Sequence, residues 1–148
     1  MFINNFDPIA FQIFSFGIRW YSLAYIIGIL IGWFHCKKLL KNNDKLFKLF
    51  DDLITYIIIG IILGGRIGYV LFYNLDYYFD NLSEIIMIWN GGMSFHGGLL
   101  GVILATVIFS KKHKINPYIF LDLIALAAPI GLFFGRMANF INSELYGR

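Results

Sequence analysis

Residues 53–73 read "LITYIIIGIILGGRIGYVLFY". In a helix, roughly 20 predominantly apolar residues cover the hydrocarbon core of a bilayer. Leu53–Tyr73 meets that length and carries one charge, Arg66, well inside the apolar run. Three further stretches have the same character: Ile18–Cys36, Met93–Phe109 and Tyr118–Ile141. The composition agrees, with 59% hydrophobic and 14% charged residues and a mean hydropathy of +0.71. Charged residues make up about a quarter of an ordinary soluble domain, so lipid must cover the excess apolar surface. The expected fold is an all-α, polytopic membrane helix bundle, with about four transmembrane helices in a single domain over residues 1–148.

Charge sets the orientation. The connection "KKLLKNNDKLFK" (37–48) carries five lysines and one aspartate, and "KKHKINP" (111–117) carries three more lysines. Between the second and third spans, "NLDYYFDNLSEIIMIWNGG" (74–92) has three acids and neither lysine nor arginine. The positive-inside rule puts both lysine-rich loops in the cytoplasm, and the N-terminus and the 74–92 segment outside. A net charge of +3 with its lysines confined to those two loops gives no footprint for nucleic acid. "MFINNFDPIA" lacks the basic start and small-residue cleavage site of a signal peptide. The single cysteine, Cys36, excludes an internal disulfide and a cysteine-cluster metal site.

Glycines at four-residue spacing, Gly28/Gly32, Gly60/Gly64/Gly68, Gly97/Gly101 and Gly131/Gly135, put small residues on one helix face and let neighbouring helices approach closely. Orientation also converts position into depth. Arg66 and Tyr69 late in the second span, His96 early in the third, Arg136 and Asn139 late in the fourth, and Arg19, Trp20 and Tyr21 at the start of the first all fall near the outer interface. Arg19 and Trp20 also suit an ordinary interfacial belt. An intramembrane arginine is costly enough to suggest function, though Arg66 also suits a bridge between helices or a side chain reaching the outer headgroups. His96 is either a satisfied core residue or a proton acceptor, with Gly97 and Gly98 clearing space beside the ring. Guanidinium forks match phosphate oxygens, so this layer reads as a phospholipid site with acid–base capacity.

Two stretches then become specific. "WNGGMSFHGGLLGV" (89–102) and "GRMANFINSELYGR" (135–148) resemble the two signature blocks of the prolipoprotein diacylglyceryl transferase family. "IRWYSLAYIIG" (18–28) and "LGGRIGYVLFYN" (63–74) resemble the first two spans of the same family, in the same order, and the resemblance covers almost the whole chain. It implies transfer of the diacylglyceryl group from phosphatidylglycerol to the thiol of a lipobox cysteine in the signal peptide of a preprolipoprotein. This is the first step of lipoprotein maturation, at the outer face of a bacterial cytoplasmic membrane, with neither metal nor organic cofactor. It also implies roles: Arg136, with Asn139 beside it, binds phosphatidylglycerol; His96 is the proposed base and Tyr21 an essential partner; Gly147 and Glu144 belong to the same signature, with Arg66 and Tyr69 in support.

Family members continue past the second signature into a periplasmic head and further spans, whereas this sequence stops at Arg148. The expectation is therefore a fragment or a truncated frame. An inactive remnant of the enzyme is one alternative and a small transport subunit is another. Transport sites tend toward the bilayer midplane, whereas here the polar residues gather near one face.

Overall fold

The computed structural model describes residues 9–13 and 16–142. Five α-helices make up most of it: α1 Trp20–Leu39, α2 Asp44–Tyr73, α3 Leu75–Asp80, α4 Phe95–Lys112 and α5 Pro117–Ile141. The 3-10 turns Leu82–Ile86 and Ile88–Asn90 lie between α3 and α4. Among the described residues, three helices are long and apolar enough to cross a membrane by length and composition: α1 over Ser22–Leu39, α4 over Phe95–Lys112, and α5 over Pro117–Ile141. The remaining expected span, Leu53–Tyr73, falls within α2, which is not among these three. Its 30 residues, about 45 Å at 1.5 Å per residue, join a charged first third to the apolar stretch around Arg66. The polytopic helical fold is as the sequence implies.

One feature was not expected. Ile18 and Arg19, assigned to the first span, belong instead to a hairpin. Strand β1 (Ile9–Ile13) pairs antiparallel with β2 (Phe16–Arg19), and an irregularity lies between Ile9 and Phe11. Alternating β-branched and aromatic residues in "IAFQI" and "FGIR" favour strand, and α1 starts only at Trp20.

Two compact units result. The first comprises Met1–Asn42 with Leu123–Arg148, and the second comprises Asn43–Asp122. In the first unit, α1 and α5 meet along a regular ladder. A side chain on Gly28 would touch the Cα of Gly131 at 3.3 Å, and one on Gly32 would touch the Cβ of Ala127 at 3.3 Å. The buried Cys36 thiol donates to the carbonyl of Leu123 at 3.3 Å. Positions 28, 32 and 36 thus descend against 131, 127 and 123, the register of antiparallel helices stepping four residues at a time.

The second unit is held by α2 against α4. Cβ atoms added at Gly60, Gly64 or Gly68 would run into the backbone of Gly97 or Gly101, and the reverse substitutions would strike Gly60, Gly64 and Gly68. Five glycines bring the two helices to backbone contact, where dispersion and weak backbone interactions replace a hydrophobic drive that lipid cannot supply. At its lysine-rich end this unit buries Phe50, Leu53, Phe109 and Phe120, and the Phe109 ring sits edge-on to Phe120 at 5.9 Å. Asn43 caps α2 by accepting from the Leu46 amide at 3.1 Å, and Ser94 caps α4 by accepting from the Gly97 amide at 3.2 Å. Large apolar side chains remain exposed along every long helix, as lipid-facing surfaces do.

Candidate functional site

Arg66 is buried, only 4% exposed, and its guanidinium is committed to the backbone. Nε donates to the Ile85 carbonyl at 2.9 Å and Nη2 to the Glu84 carbonyl at 2.6 Å. Nη1 donates to the carbonyls of Gly91 and of Gly92, the latter at 3.2 Å. Four of the five N–H groups of the side chain are therefore taken, and the Tyr78 ring lies 5.2 Å away as a cation–π partner. Of the roles open to Arg66 in the sequence, the structure shows a bridge, tying α2 to the segment that leads into α4.

That bridge needs the glycines. Gly91 and Gly92 have φ of 80° and 84°, left-handed values that a side chain would strain. A Cβ on Gly92 would also collide with the Tyr69 ring. Tyr69 stacks on Tyr73 at 5.6 Å and accepts from Asn74 Nδ2 at 3.3 Å. Two residues beyond Gly92, the buried Ser94 donates its amide to the Gly65 carbonyl at 2.9 Å. His96 follows in the first turn of α4. It is exposed, edge-on to the Phe95 ring at 5.6 Å, and has no hydrogen-bond partner among the described residues. Arg66, Tyr69, the 91–92 glycines and Ser94 together fix where the imidazole emerges.

Arg136 belongs to the other unit. On α5 it lines a cavity of about 560 Å³ with Trp20, Phe133, Met137, Phe140 and Ile141. The side chain is exposed and no described residue pairs with it. Apart from the guanidinium, the walls are apolar. Such a cleft suits an amphiphile, with alkyl chains against the aromatic and aliphatic walls and an anionic head at the arginine. Asn139 follows one turn along the same face of α5. Asn142 closes the helix with its Oδ1 buried and unpartnered among the described residues. A buried acceptor in that condition was visible in the sequence only as one more asparagine in the signature. Tyr21 stands in the first turn of α1, and its side chain lies outside the described residues, as do Glu144 and Gly147.

A membrane helix protein with an arginine-lined apolar cleft on one helix and an exposed histidine at the start of another is the class these features define. The sequence matches the prolipoprotein diacylglyceryl transferase family over residues 8–148, and the chain belongs to that family. It is 54% identical to a phosphatidylglycerol–prolipoprotein diacylglyceryl transferase of Azospirillum brasilense, over 96% of this chain and 54% of that protein. It is 52% identical to the protein of that name from Rickettsia canadensis, over 100% of this chain and 58% of that one. The chain thus spans little more than half the length of these curated relatives.

Proposed function

We propose that the chain serves in transferring the diacylglyceryl group of phosphatidylglycerol to the lipobox cysteine of a preprolipoprotein, at the outer face of a bacterial cytoplasmic membrane. The observation that carries this reading is the Arg136 guanidinium, unpaired among the described residues, in the lining of an apolar cleft, in a chain of this family. Phosphatidylglycerol fills such a cleft, with its acyl chains against Phe133, Met137 and Phe140 and its phosphate on Arg136. Asn139, one turn along, orients the headgroup.

In the reaction, the cysteine sulfur bonds to the glyceryl carbon as the bond from that carbon to the phosphate oxygen breaks, so that a thioether forms and glycerol phosphate leaves. A thiol titrates near 8.5, so forming the thiolate at pH 7 costs about 2 kcal/mol. His96, exposed and without a competing partner among the described residues, takes the thiol proton during attack and removes that cost. Arg136 stabilises the charge that grows on the departing phosphate. Tyr21, Glu144 and Gly147 serve the same reaction in this reading, and residues 1–148 count as a single transmembrane domain.

The test is transfer of labelled diacylglyceryl from phosphatidylglycerol to a lipobox peptide. The chain is assayed alone and completed with the unmatched portion of the Rickettsia canadensis relative, and the product is identified as a thioether by mass. Transfer that vanishes with a serine lipobox supports the proposal. Failure of the completed protein, correctly inserted, overturns it in favour of an inactive remnant.

A further inference from the structure

The 74–92 segment leaves α2 at its end and returns to α4, yet its contacts lie well below that end. Ser94 is bonded to Gly65, eight residues before Tyr73, which is about 12 Å back along the helix axis. The carbonyls of Glu84, Ile85, Gly91 and Gly92 are all gathered onto Arg66, seven residues before that end. Tyr78 is buried beneath the same guanidinium. The segment therefore folds back beside the last turns of α2 instead of projecting beyond its end.

Its backbone can occupy that depth because the arginine answers its carbonyls; irregular backbone facing lipid is otherwise excluded. Its outward side chains are large and apolar. Phe79 is 68% exposed, Leu82 66%, Ile86 75% and Trp89 74%, recurring at intervals of three or four residues. The acids Asp76, Asp80 and Glu84 recur at every fourth position among them, and Tyr77 donates to the Glu84 carboxylate at 3.1 Å. Apolar residues with tryptophan and tyrosine at the level where a helix meets the headgroups form the composition of an interfacial element.

We infer that residues 74–92 form a re-entrant element seated in the lipid leaflet opposite the lysine-rich loops, with Phe79, Leu82, Ile86 and Trp89 among the acyl chains just under the headgroups. Arg66 is the pin that holds it there. The occupant of this apolar surface is lipid, because the segment leads into α4, a helix long and apolar enough to cross a membrane, and its anchor points lie below the end of α2. This inference rests on membrane embedding alone and stands or falls separately from the transfer reaction.

The test is fluorescence of the chain in phosphatidylglycerol-containing vesicles, taking the difference between the wild type and Trp89→Phe to isolate Trp89 from Trp20 and Trp33. The difference emission should be blue-shifted, lose most of its intensity to lipids brominated near the top of the acyl chain, and resist aqueous iodide. Strong quenching by iodide would overturn the inference by placing the residue in water. Resistance to both quenchers would overturn it by placing protein over the surface. A nitroxide on Ile86→Cys in a Cys36→Ala background gives a second reading: oxygen should relax it far more than a water-soluble nickel chelate, and the reverse order refutes the placement.

Discussion

Replacing Arg66 with methionine keeps an apolar stem of similar length and removes the head that holds four backbone carbonyls. A hydrogen bond to a charged group is worth about 1.5–3 kcal/mol net. The four contacts share one side chain, and water at the interface recovers part of what is lost. A local destabilisation of about 3 kcal/mol is therefore expected, or roughly 150-fold faster opening of the segment. The assay is amide hydrogen exchange across residues 82–94, where Gly91 donates to Ile88 and Ser94 to Gly65. Arg66→Lys should recover only part of the protection, because one ammonium cannot reach carbonyls that three nitrogens of a planar fork now share. The cleft around Arg136 proposed for phosphatidylglycerol contains none of these groups, so binding there should persist. Unchanged exchange together with lost lipid binding would refute the reasoning, and would mean that Arg66 holds a phosphate instead of the backbone.

The other predictions concern packing, catalysis and orientation. Gly101→Ala drives a methyl into the Gly60 carbonyl and should destabilise the α2–α4 pair by about 1–3 kcal/mol in a membrane unfolding assay. Gly131→Ala meets nothing within 4 Å and should be neutral or stabilising by up to about 1 kcal/mol. His96→Gln in the completed protein should lower diacylglyceryl transfer more than lipid binding, and equal loss of both would remove His96 from the role of base. Arg136→Lys keeps the charge but not the fork, and should cost about 2–4 kcal/mol, hence roughly 30- to 1000-fold in transfer. Cysteines placed in residues 37–48 should be shielded from impermeant reagents added outside; labelling there would reverse the topology.

Much of the helical frame is legible in the sequence because membrane length and glycine spacing are local signals. The glycines at 60, 64 and 68 and at 97 and 101 meet as their periodicity implies. Gly135 follows the same spacing but faces nothing within 4 Å, since periodicity marks a face without saying whether a neighbour covers it. The hairpin at 9–19 was hidden because its apolar residues merge with those of the first span. The role of Arg66 was open for a different reason. Its partners are carbonyls, which every residue carries, so nothing in the side-chain pattern of 84–92 marks them as ligands except the two glycines whose left-handed backbone turns them inward. The Arg136 cleft was half visible: an arginine inside an apolar run stands out in the sequence, while the aromatic wall from Trp20 to Phe140 depends on helix packing.

The central claim is that the Arg136 cleft holds phosphatidylglycerol. It is tested most directly with a photoreactive phosphatidylglycerol bearing a diazirine high on one acyl chain, crosslinked in vesicles and mapped by peptide mass. Adducts are expected on the cleft wall, at Trp20, Phe133, Met137 or Phe140, strongly reduced by Arg136→Ala and competed by unlabelled phosphatidylglycerol. Adducts that ignore Arg136→Ala, or that fall on α2 around Arg66 instead, would contradict it.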